Sequence, residues 1–337
     1  MVSVETFTRL EDVPDDAADL FAGARGFFST RAWWDAVLTH AMPDGASPRL
    51  VLIRSDGRAR ALFPMMGHQS LTTPYTCLYE PLFANDVTDR APLYADFARF
   101  LRSSAVTRMD ALDELEADAM AAGAWAAGLY TARFDHFGNW HEQLQGRDWN
   151  GYMADRPGAL RETVRRRLRR ADRLTNARFR LFTGLDDLET GIAAFEAVYA
   201  RSWKDSEPFL AFNPAQIRAA AGLGIGRLGV WWIDDVPAAA QFWVIEHSLA
   251  TVLKLAHDEA FKANSPGTVV TAWMIRHMIE QEAATGLDFG RGDDPYKRDW
   301  VASRRQRVGL LLVNPRLPRG ILELTRHALG RVRARLR

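Results

Sequence analysis

The sequence contains one cysteine, Cys77, and no hydrophobic run that approaches the roughly 18 residues of a membrane-spanning helix. A single cysteine excludes an intramolecular disulfide, which suits a reducing compartment. The N-terminal segment is acidic and lacks the apolar core of a secretory signal. We therefore expect a cytoplasmic protein. We interpret Cys77 as a buried structural thiol, because no histidine stands close to it in the sequence.

Common catalytic motifs are also missing. The sequence has no G-x-S-x-G turn, no G-x-x-x-x-G-K phosphate loop and no C-x-x-C pair. Residues 224–229 spell G-x-G-x-x-G, but they follow a predicted helix and precede a predicted strand. That order is the reverse of the dinucleotide-binding arrangement, so we predict a turn. His136 and His141 lack a supporting cluster of acidic residues or cysteines, and we expect no metal site.

The composition is that of a soluble protein with about two domains. The chain has 337 residues, of which 47% are hydrophobic and 25% are charged. The net charge of +1 conceals two basic segments. Residues 156–178 hold nine arginines against two acidic residues, and residues 316–337 hold seven against one. The remainder of the chain is therefore acidic.

Two predicted hairpins resemble each other. RLVLIRSDGRARALFPM begins at Arg49 and RLGVWWIDDVPAAAQFWV begins at Arg227. Each reads as an apolar strand, an acidic turn, small residues and a second apolar strand. In both halves a tryptophan-bearing helix precedes the hairpin and a long helix follows it. The repeated order predicts an internal duplication, and hence tandem α/β domains with mixed sheets.

Periodicity and turn signals assign the elements of each half. In the first half we predict a helix at 29–40, strands at 49–54 and 60–66, a long helical stretch with one break at 94–122, and a strand at 128–134. A basic helix at 159–175 separates the halves. In the second half we predict a helix at 188–203, strands at 227–233, 238–246, 249–257 and 287–290, and a helix at 267–284.

A strand, a loop and a helix follow one another between Lys254 and Thr268. The loop contains Lys262, Asn264, Ser265 and Gly267. Free N–H groups and the positive dipole end make a helix N-terminus a phosphate site, and small residues permit close approach. The alternative is an ordinary capped helix start. Taken alone, the loop favours this alternative over a phosphate site.

A dense polar segment follows the short strand at 287–290. It reads RGDDPYKRDW and lies among three glycines. Charged and aromatic groups at the carboxyl end of a strand commonly face a ligand crevice. The alternative is a solvated turn in which Arg291 and Lys297 pair with Asp293 and Asp294.

These two segments carry a family resemblance. KANSPG at 262–267 resembles the pyrophosphate loop of GNAT acyltransferases, with Ser265 in place of the first glycine. FGRGDDPYKRDW at 289–300 resembles the RGDEPYKRRW signature of double-GNAT proteins, the cellulose-biosynthesis acetyltransferases of the CelD type. Fem-type transferases and bacterial ceramide synthases are similar more distantly. The resemblance is strongest at residues 150–315.

The resemblance implies a fold and a domain plan. The fold class is α/β, with tandem GNAT-like domains that each contain a mixed, mostly antiparallel sheet flanked by helices. We expect a diverged N-terminal domain at 1–150, a basic linker helix at 151–180, a catalytic domain at 181–315 and a basic amphipathic helix at 316–337.

The resemblance also implies a site for acyl-CoA (acetyl-CoA or a long-chain acyl-CoA) and no metal. The donor would lie between the strands at 249–257 and 287–290, with its acyl carbonyl near a backbone N–H. The donor-binding candidates are Lys254, Lys262, Asn264, Ser265, Gly267 and Thr268. Tyr296 is the candidate acid, and Asp294, His257 and Glu246 are candidate bases. The substrate-binding candidates are Arg291, Asp293, Lys297 and Trp300.

The basic helices suggest partners. We interpret the helix at 159–173 as a solvated inter-domain helix, since it lacks the interleaved aromatic residues of a nucleic-acid surface. The C-terminal helix places Ile321, Leu324, Ala328, Val332 and Leu336 on one face. That face suits either an anionic lipid surface or packing on the second domain. Peripheral contact with the inner membrane face is therefore consistent with a cytoplasmic protein.

Two functions remain open from the sequence. One is an acyl-CoA-dependent N-acyltransferase, or O-acyltransferase, for an envelope acceptor: an amino sugar, a polysaccharide or a lipid amine such as a sphingoid base. The other is a non-catalytic GNAT scaffold in a polysaccharide or membrane assembly.

Overall fold

The chain packs as two units. Unit 1 contains Met1–Phe137 and the segment from Gln306 onward, and unit 2 contains Gly138–Arg305. The computed structural model describes the backbone of residues 1–335 and the side chains of residues 1–326. Both boundaries between the units fall inside a strand, so no separate linker divides them.

The described residues form thirteen strands and eleven α-helices. The strands are β1 Val2–Phe7, β2 Pro48–Ser55, β3 Arg58–Met66, β4 Gln69–Ser70, β5 Leu82–Phe83, β6 Val106–Leu112, β7 Tyr130–Gln143, β8 Ala177–Phe182, β9 Gly226–Ile233, β10 Val236–Glu246, β11 Leu249–His257, β12 Gly286–Arg291 and β13 Ser303–Val313. The helices are α1 Ala18–Ala22, α2 Arg31–His40, α3 Ala91–Phe100, α4 Glu114–Ala126, α5 Trp149–Ala154, α6 Gly158–Ala171, α7 Leu188–Ala200, α8 Phe212–Gly222, α9 Pro266–Glu280, α10 Lys297–Trp300 and α11 Pro318–Arg335.

Each unit contains a mixed, mostly antiparallel sheet flanked by helices, which confirms the predicted fold class. In unit 1 the strand order is β1-β2-β3-β4-β6-β13, and β5 pairs with β3. In unit 2 the order is β7-β12-β11-β10-β9-β8. One parallel pair occurs in the described part of each sheet: β4 with β6 and β11 with β12.

The two hairpins share a detail that the sequence alone does not show. Asp56 and Gly57 form the first turn and Asp234 and Asp235 form the second, and all four residues have positive φ. Such two-residue turns match the twist of antiparallel strands. In each hairpin the third residue of the second strand is skipped in the register, which places a bulge at the same step. The shared turn and bulge support the predicted duplication.

The parallel pairs of the two units differ in length. β4 has two residues and only Gln69 pairs with β6, at Arg108. β11 has nine residues, and the helix α9 begins soon after it. In unit 1 the next helix, α3, begins only at Ala91. The strand–loop–helix geometry that would seat a donor is therefore developed in unit 2.

The sequence misassigned one segment. Residues 94–122 were predicted as one helical stretch with a break, but β6 lies between α3 and α4. Five of the seven residues of β6 are buried and only Arg108 is exposed, so the strand lacks the alternation that would have distinguished it from its alanine-rich flanks. Cys77 is half-buried, and its Sγ donates to the carbonyl oxygen of Tyr75 at 3.8 Å.

The basic helix α6 is part of unit 2. It packs on α9 through a face that includes Val164 and Ala171, both buried, while most of its arginines are exposed. The helix is strongly amphipathic, so burial of one face leaves the charged face in solvent.

The last helix lies partly outside the described side chains. Ile321 and Leu322 are exposed on 54% and 50% of their areas. Ala328, Val332 and Leu336, which complete the predicted apolar face, lie outside the residues whose side chains are described. Among the described residues, no helix has the length and apolar character to cross a membrane.

A buried ionic network stabilises the region around α5 and α10. Glu142 Oε1 accepts from Arg147 Nη2 and Arg156 Nη2, each at 2.7 Å, and Oε2 accepts from the backbone N–H of Ala302 at 3.0 Å. Arg156 Nη1 and the hydroxyl of Tyr152 both donate to the carbonyl oxygen of Trp300, at 2.6 and 2.5 Å. Every charge in this network therefore has a partner.

Candidate functional site

The strands β11 and β12 pair over three residues and then separate. Their parallel register runs from Leu249 opposite Gly286 to Thr251 opposite Asp288. Just beyond this point the pairing of β11 with β10 skips Leu253, which makes a bulge. The separation opens a slot between two parallel strands, and the bulge frees one residue of β11 from the β10 register. This is the slot that the resemblance predicted for the donor.

The helix α9 begins at the end of this slot. Pro266 occupies its first position, and the first helical bond runs from the N–H of Val269 to the carbonyl of Ser265 at 3.2 Å. Within the described structure no bond satisfies the N–H groups of Gly267 and Thr268. Ser265 has φ 53° and ψ 52°, the left-handed conformation that a glycine would adopt easily. Ser265, which stands where the resemblance expects a glycine, therefore adopts a backbone conformation that favours glycine.

Arg167 brings the basic helix to this loop. Its Nη1 donates to the carbonyl oxygen of Ala263 at 2.9 Å. Lys262 is exposed on 76% of its side chain, and its Nζ lies 3.3 Å from Glu259. Two positive side chains therefore lie on or against the loop that precedes α9. The sequence does not reveal the contact of Arg167 with Ala263, because it joins residues 96 positions apart.

A chain of hydrogen bonds fixes the start of α9 to the sheet. The indole of Trp243 donates to Gln241 at 2.9 Å, and Gln241 donates to the hydroxyl of Thr271 at 2.5 Å. Thr271 in turn donates to the carbonyl of Gly267 at 2.8 Å. All members of a buried network of this kind are satisfied, so it fixes one geometry. It sets the position of the helix N-terminus relative to β10.

Lys297 holds the polar loop after β12. It is buried, with only 3% of its area exposed. Its Nζ donates to the carbonyl oxygens of Arg291 at 2.7 Å and Gly292 at 3.1 Å, and it lies 3.1 Å from Asp294. An ammonium group has three donors, and these contacts use all three. Lys297 was predicted to bind substrate, but in the structure its ammonium group binds the residues of its own loop.

Asp293 is also engaged by the protein. Arg304 donates to both of its oxygens at 2.7 Å, and the indole of Trp140 donates at 3.0 Å. The bond from Arg304 lowers the pKa of Asp293 below its ordinary value. Gly138 lies against this carboxylate, and a Cβ there would stand 2.1 Å from it. Asp293 therefore orders the loop.

A second polar network lies beneath the loop. Asp288 accepts from Asn139 at 2.7 Å, from the N–H of Gly290 at 2.7 Å and from Arg305 at 2.5 Å. Arg305 also donates to Asn139 Oδ1 at 2.6 Å. Asn139 and Asp288 are buried. Asn139 and Asp288 could not be paired from the sequence, because they lie about 150 positions apart in the chain.

Tyr296 lies beside this loop with 36% of its area exposed. Its ring is 6.4 Å from that of Phe289 on β12. Desolvation, with the negative charge of Asp294, raises the pKa of Tyr296 above its ordinary value. The hydroxyl therefore keeps its proton at neutral pH, which suits a hydrogen-bond donor or acid. Trp300, by contrast, is 4% exposed and packs in the core, so it does not present its ring to a substrate.

The structure separates two of the candidate bases. Glu246 ends β10 opposite Leu249, whereas His257 ends β11 opposite Ala239. These positions lie at opposite ends of the hairpin, about 26 Å apart at 3.3 Å per residue. His257 lies near the start of α9, where its Nδ1 is 3.2 Å from the Cβ position of Gly267. Burial lowers the pKa of His257.

Lys254, predicted to bind the donor, lies next to the bulge. Its Nζ is 2.5 Å from Glu207 Oε1, and the hydroxyl of Tyr199 donates to the same oxygen. Its two partners, Glu207 and Tyr199, line a cleft of about 480 Å³ in unit 2. Lys204 lines the cleft as well, with its Nζ 5.3 Å from the ring centroid of Tyr199. The segment that carries Lys204 and Glu207 has no regular periodicity and was not singled out from the sequence.

One sequence signal would have found Lys204. The chain has 39 arginines but four lysines: Lys204, Lys254, Lys262 and Lys297. All four lie within 94 residues of unit 2 and border the slot, the loop or the cleft described above. Arginine and lysine differ because only the lysine ammonium readily loses its proton when desolvated. The scarcity of lysine elsewhere makes these four positions informative.

With this geometry established, residues 158–298 match the family model of an acetyltransferase (GNAT) domain. The match covers the basic helix, the slot, the loop and all of RGDDPYK at 291–297. It supports the GNAT acyltransferase superfamily, as the resemblance predicted. No curated protein matches the sequence significantly.

Solved structures with the same fold cover nearly the whole chain. FemX has a TM-score of 0.59 at 10% identity, with 92% of this chain and 98% of that chain aligned. The C-terminal domain of a putative lysylphosphatidylglycerol synthetase from Agrobacterium fabrum gives 0.58 at 13%, with 94% and 95% aligned. A tandem GNAT protein from the clavulanic acid pathway gives 0.50 at 13%, with 92% and 98% aligned. The fold is therefore GNAT-like and similar to tandem members.

Proposed function

We propose that this protein is an acyl-CoA-dependent N-acyltransferase, or O-acyltransferase, with its donor site in unit 2. The observation that carries the proposal is the slot between β11 and β12, which leads to the unpaired amides of Gly267 and Thr268. A thioester tail needs a narrow slot, and a pyrophosphate needs N–H donors and positive charge. Arg167 and Lys262 supply that charge.

The chain's residues fit an acyl-CoA donor. The amides of Gly267 and Thr268 would bind the pyrophosphate, and the hydrogen bonds from Gln241 and Thr271 keep them in place. The bulge at Leu253 would direct a backbone N–H to the acyl carbonyl, where charge develops during attack. Tyr296 would protonate the leaving thiolate, because its raised pKa keeps the hydroxyl protonated.

The acceptor is proposed to be an envelope component: an amino sugar, a polysaccharide or a lipid amine. The fold shared with FemX and with lysylphosphatidylglycerol synthetase domains supports this choice by analogy. The RGDDPYK resemblance to CelD-type acetyltransferases points in the same direction. The cleft beside Lys254 and Glu207 is the proposed acceptor entrance.

The donor is tested by a thermal-shift panel with acetyl-CoA, palmitoyl-CoA and CoA. Ligand at 100 times its Kd adds about 2.7 kcal/mol to the stability of the folded state. We expect a rise in the melting temperature with at least one thioester. Absence of a shift with all three contradicts the donor site. Binding of a thioester without release of free CoA thiol in the presence of any acceptor would identify a non-catalytic scaffold.

We further propose that α11 contacts an anionic membrane surface. Ile321 and Leu322 are exposed near its start, and arginines follow along the helix. Such contact combines apolar insertion with electrostatic attraction. We expect the chain to sediment with phosphatidylglycerol vesicles but not with phosphatidylcholine vesicles, and 0.5 M salt to weaken binding. A double Ile321→Ser, Leu322→Ser variant that sediments equally well would contradict this role.

A further inference from the structure

The cleft beside the donor slot contains an ammonium group that the proposed donor chemistry does not use. Lys204 is half-buried, and its Nζ lies over the rings of Tyr199 at 5.3 Å and Trp203 at 5.9 Å. Among the described residues, no carboxylate forms an ion pair or hydrogen bond with it. A half-buried lysine without a counter-ion is unusual, because desolvation penalises the charged form.

Neighbouring charges oppose the charged form as well. Lys254 Nζ approaches the same tyrosine ring at 5.6 Å, and its positive charge lowers the pKa of Lys204. The positive charge of Lys297, in the polar loop, also lowers that pKa. The negative charges of Glu207 and Asp294 raise the pKa of Lys204, but Glu207 is already bonded to Lys254 and Tyr199. The titratable groups that face Lys204 or line its cleft are Glu196 and Tyr199 on α7, Asp205 and Glu207 in the following loop, Lys254 on β11, and Asp294 and Lys297 after β12.

We propose that Lys204 is the base of the acceptor site, and that the acceptor is a primary amine that enters the cleft as an ammonium ion. This inference rests on the proposed acyl transfer. The cleft of about 480 Å³ has room for such a group and is lined by Lys204, Tyr199 and Glu207. Lys254, which shares the tyrosine ring with Lys204, lies one residue past the bulge in β11. Lys204 is therefore connected through Tyr199 and Lys254 to the part of β11 where the thioester carbonyl is expected.

The proposed step balances. The neutral amine of Lys204 takes one proton from the acceptor ammonium, which becomes a free amine. That amine attacks the thioester carbonyl carbon, so a C–N bond forms and the C–S bond breaks. The departing sulfur receives the second proton that the acceptor nitrogen loses, with Tyr296 placed to relay it. Lys204 then returns its proton to water.

The neutral form of Lys204 is accessible near physiological pH. Burial, followed by the charge of Lys254, lowers the pKa of Lys204 from 10.5 to about 8. Below pH 8 the group is protonated and cannot accept a proton, so turnover should fall as the pH falls. An arginine at this position keeps the charge but does not deprotonate in proteins.

The scarcity of lysine makes a direct titration feasible. Trace labelling of the full chain with acetic anhydride between pH 6 and pH 10, followed by peptide mapping, resolves all four lysines. We expect half-maximal reactivity of Lys204 near pH 8, with the exposed Lys262 as the internal reference. Reactivity of Lys204 that tracks Lys262 throughout would overturn the proposal, whether or not an acceptor is found.

Turnover gives the second readout. Turnover is measured with acetyl-CoA or palmitoyl-CoA as donor and glucosamine or sphinganine as acceptor. Lys204→Arg should reduce kcat at least 100-fold. It should also abolish the acidic limb of the pH–rate profile, which is the fall in kcat below about pH 8. Its melting-temperature shift with the thioester should equal that of the wild type. The control Arg178→Lys makes the reverse exchange at an exposed pair with Asp235 and should leave kcat unchanged.

The possible failures are distinct. Wild-type binding of acyl-CoA without transfer to any amine or hydroxyl acceptor would contradict the proposed function, and the base with it. Transfer to a hydroxyl acceptor but to no amine would overturn only the amine acceptor and the role of Lys204. Transfer by the wild type, together with full activity and an unchanged acidic limb in Lys204→Arg, would overturn only the role of Lys204.

Discussion

Replacement of Glu142 by alanine is expected to lower the free energy of unfolding by about 3–5 kcal/mol. The side chains of Glu142 and Arg156 are only 6% and 4% exposed. Loss of the carboxylate leaves a buried guanidinium without its counter-charge and removes the acceptor for the N–H of Ala302. The measurement is urea-induced unfolding followed by far-UV circular dichroism.

A surface ion pair provides the control. Glu162 pairs with Arg165 at 2.6 Å on α6, but both side chains are more than half exposed. Glu162→Ala should therefore cost at most about 0.5 kcal/mol. A double variant, Glu142→Ala with Arg156→Met, should recover part of the loss because it also removes the unpaired charge. If Glu142→Ala costs no more than Glu162→Ala, the network does not stabilise the fold.

Introduction of a negative charge at Thr268 is expected to weaken acyl-CoA binding about 100-fold. Thr268 occupies the third position of α9, and its N–H is unpaired in the described structure. Thr268→Asp would place a carboxylate where the pyrophosphate is proposed to bind. Loss of charged hydrogen bonds worth about 1.5–3 kcal/mol, with added repulsion, gives an effect of this size.

The same change should stabilise the protein without ligand. An acidic residue in the first turn of a helix gains about 0.3–1 kcal/mol from the helix dipole. Thr190→Asp is the matched control, because Thr190 occupies the third position of α7 and is exposed. It should leave the acyl-CoA affinity unchanged. Isothermal titration and thermal unfolding separate the two effects, and equal affinities for all three proteins would contradict the proposed phosphate seat.

Hairpins and amphipathic helices were readable from the sequence because their signals are local. The apolar runs after Arg49 and Arg227, with acidic turns between them, gave the strands of both hairpins. Thr30 caps α2 by accepting from the N–H of Trp33, a contact between residues three positions apart. β6 was not predicted, because its seven residues in an alanine-rich context are too few to show a clear strand periodicity.

The sequence identified the candidate site residues as a group, but it did not identify the role of each residue. The sequence brought the loop at 262–268 and the segment at 291–300 to one site, through their resemblance to known signatures. It did not show that Lys297 and Asp293 are engaged by their own unit. It also overlooked Lys204, because the segment between α7 and α8 matches no motif.

The sequence by itself determined the duplicated hairpins and the long basic helices, and it located the proposed donor loop in the second half. These features depend on residues close together in the chain, where periodicity and turn chemistry act directly. Only the tertiary structure decided that Arg167 reaches the loop, that Glu246 and His257 lie at opposite ends of a hairpin, and that Lys204 shares a tyrosine ring with Lys254. Those relations join residues 11 to 96 positions apart, and their energies depend on burial and on neighbouring charges that exist only once the sheet has formed.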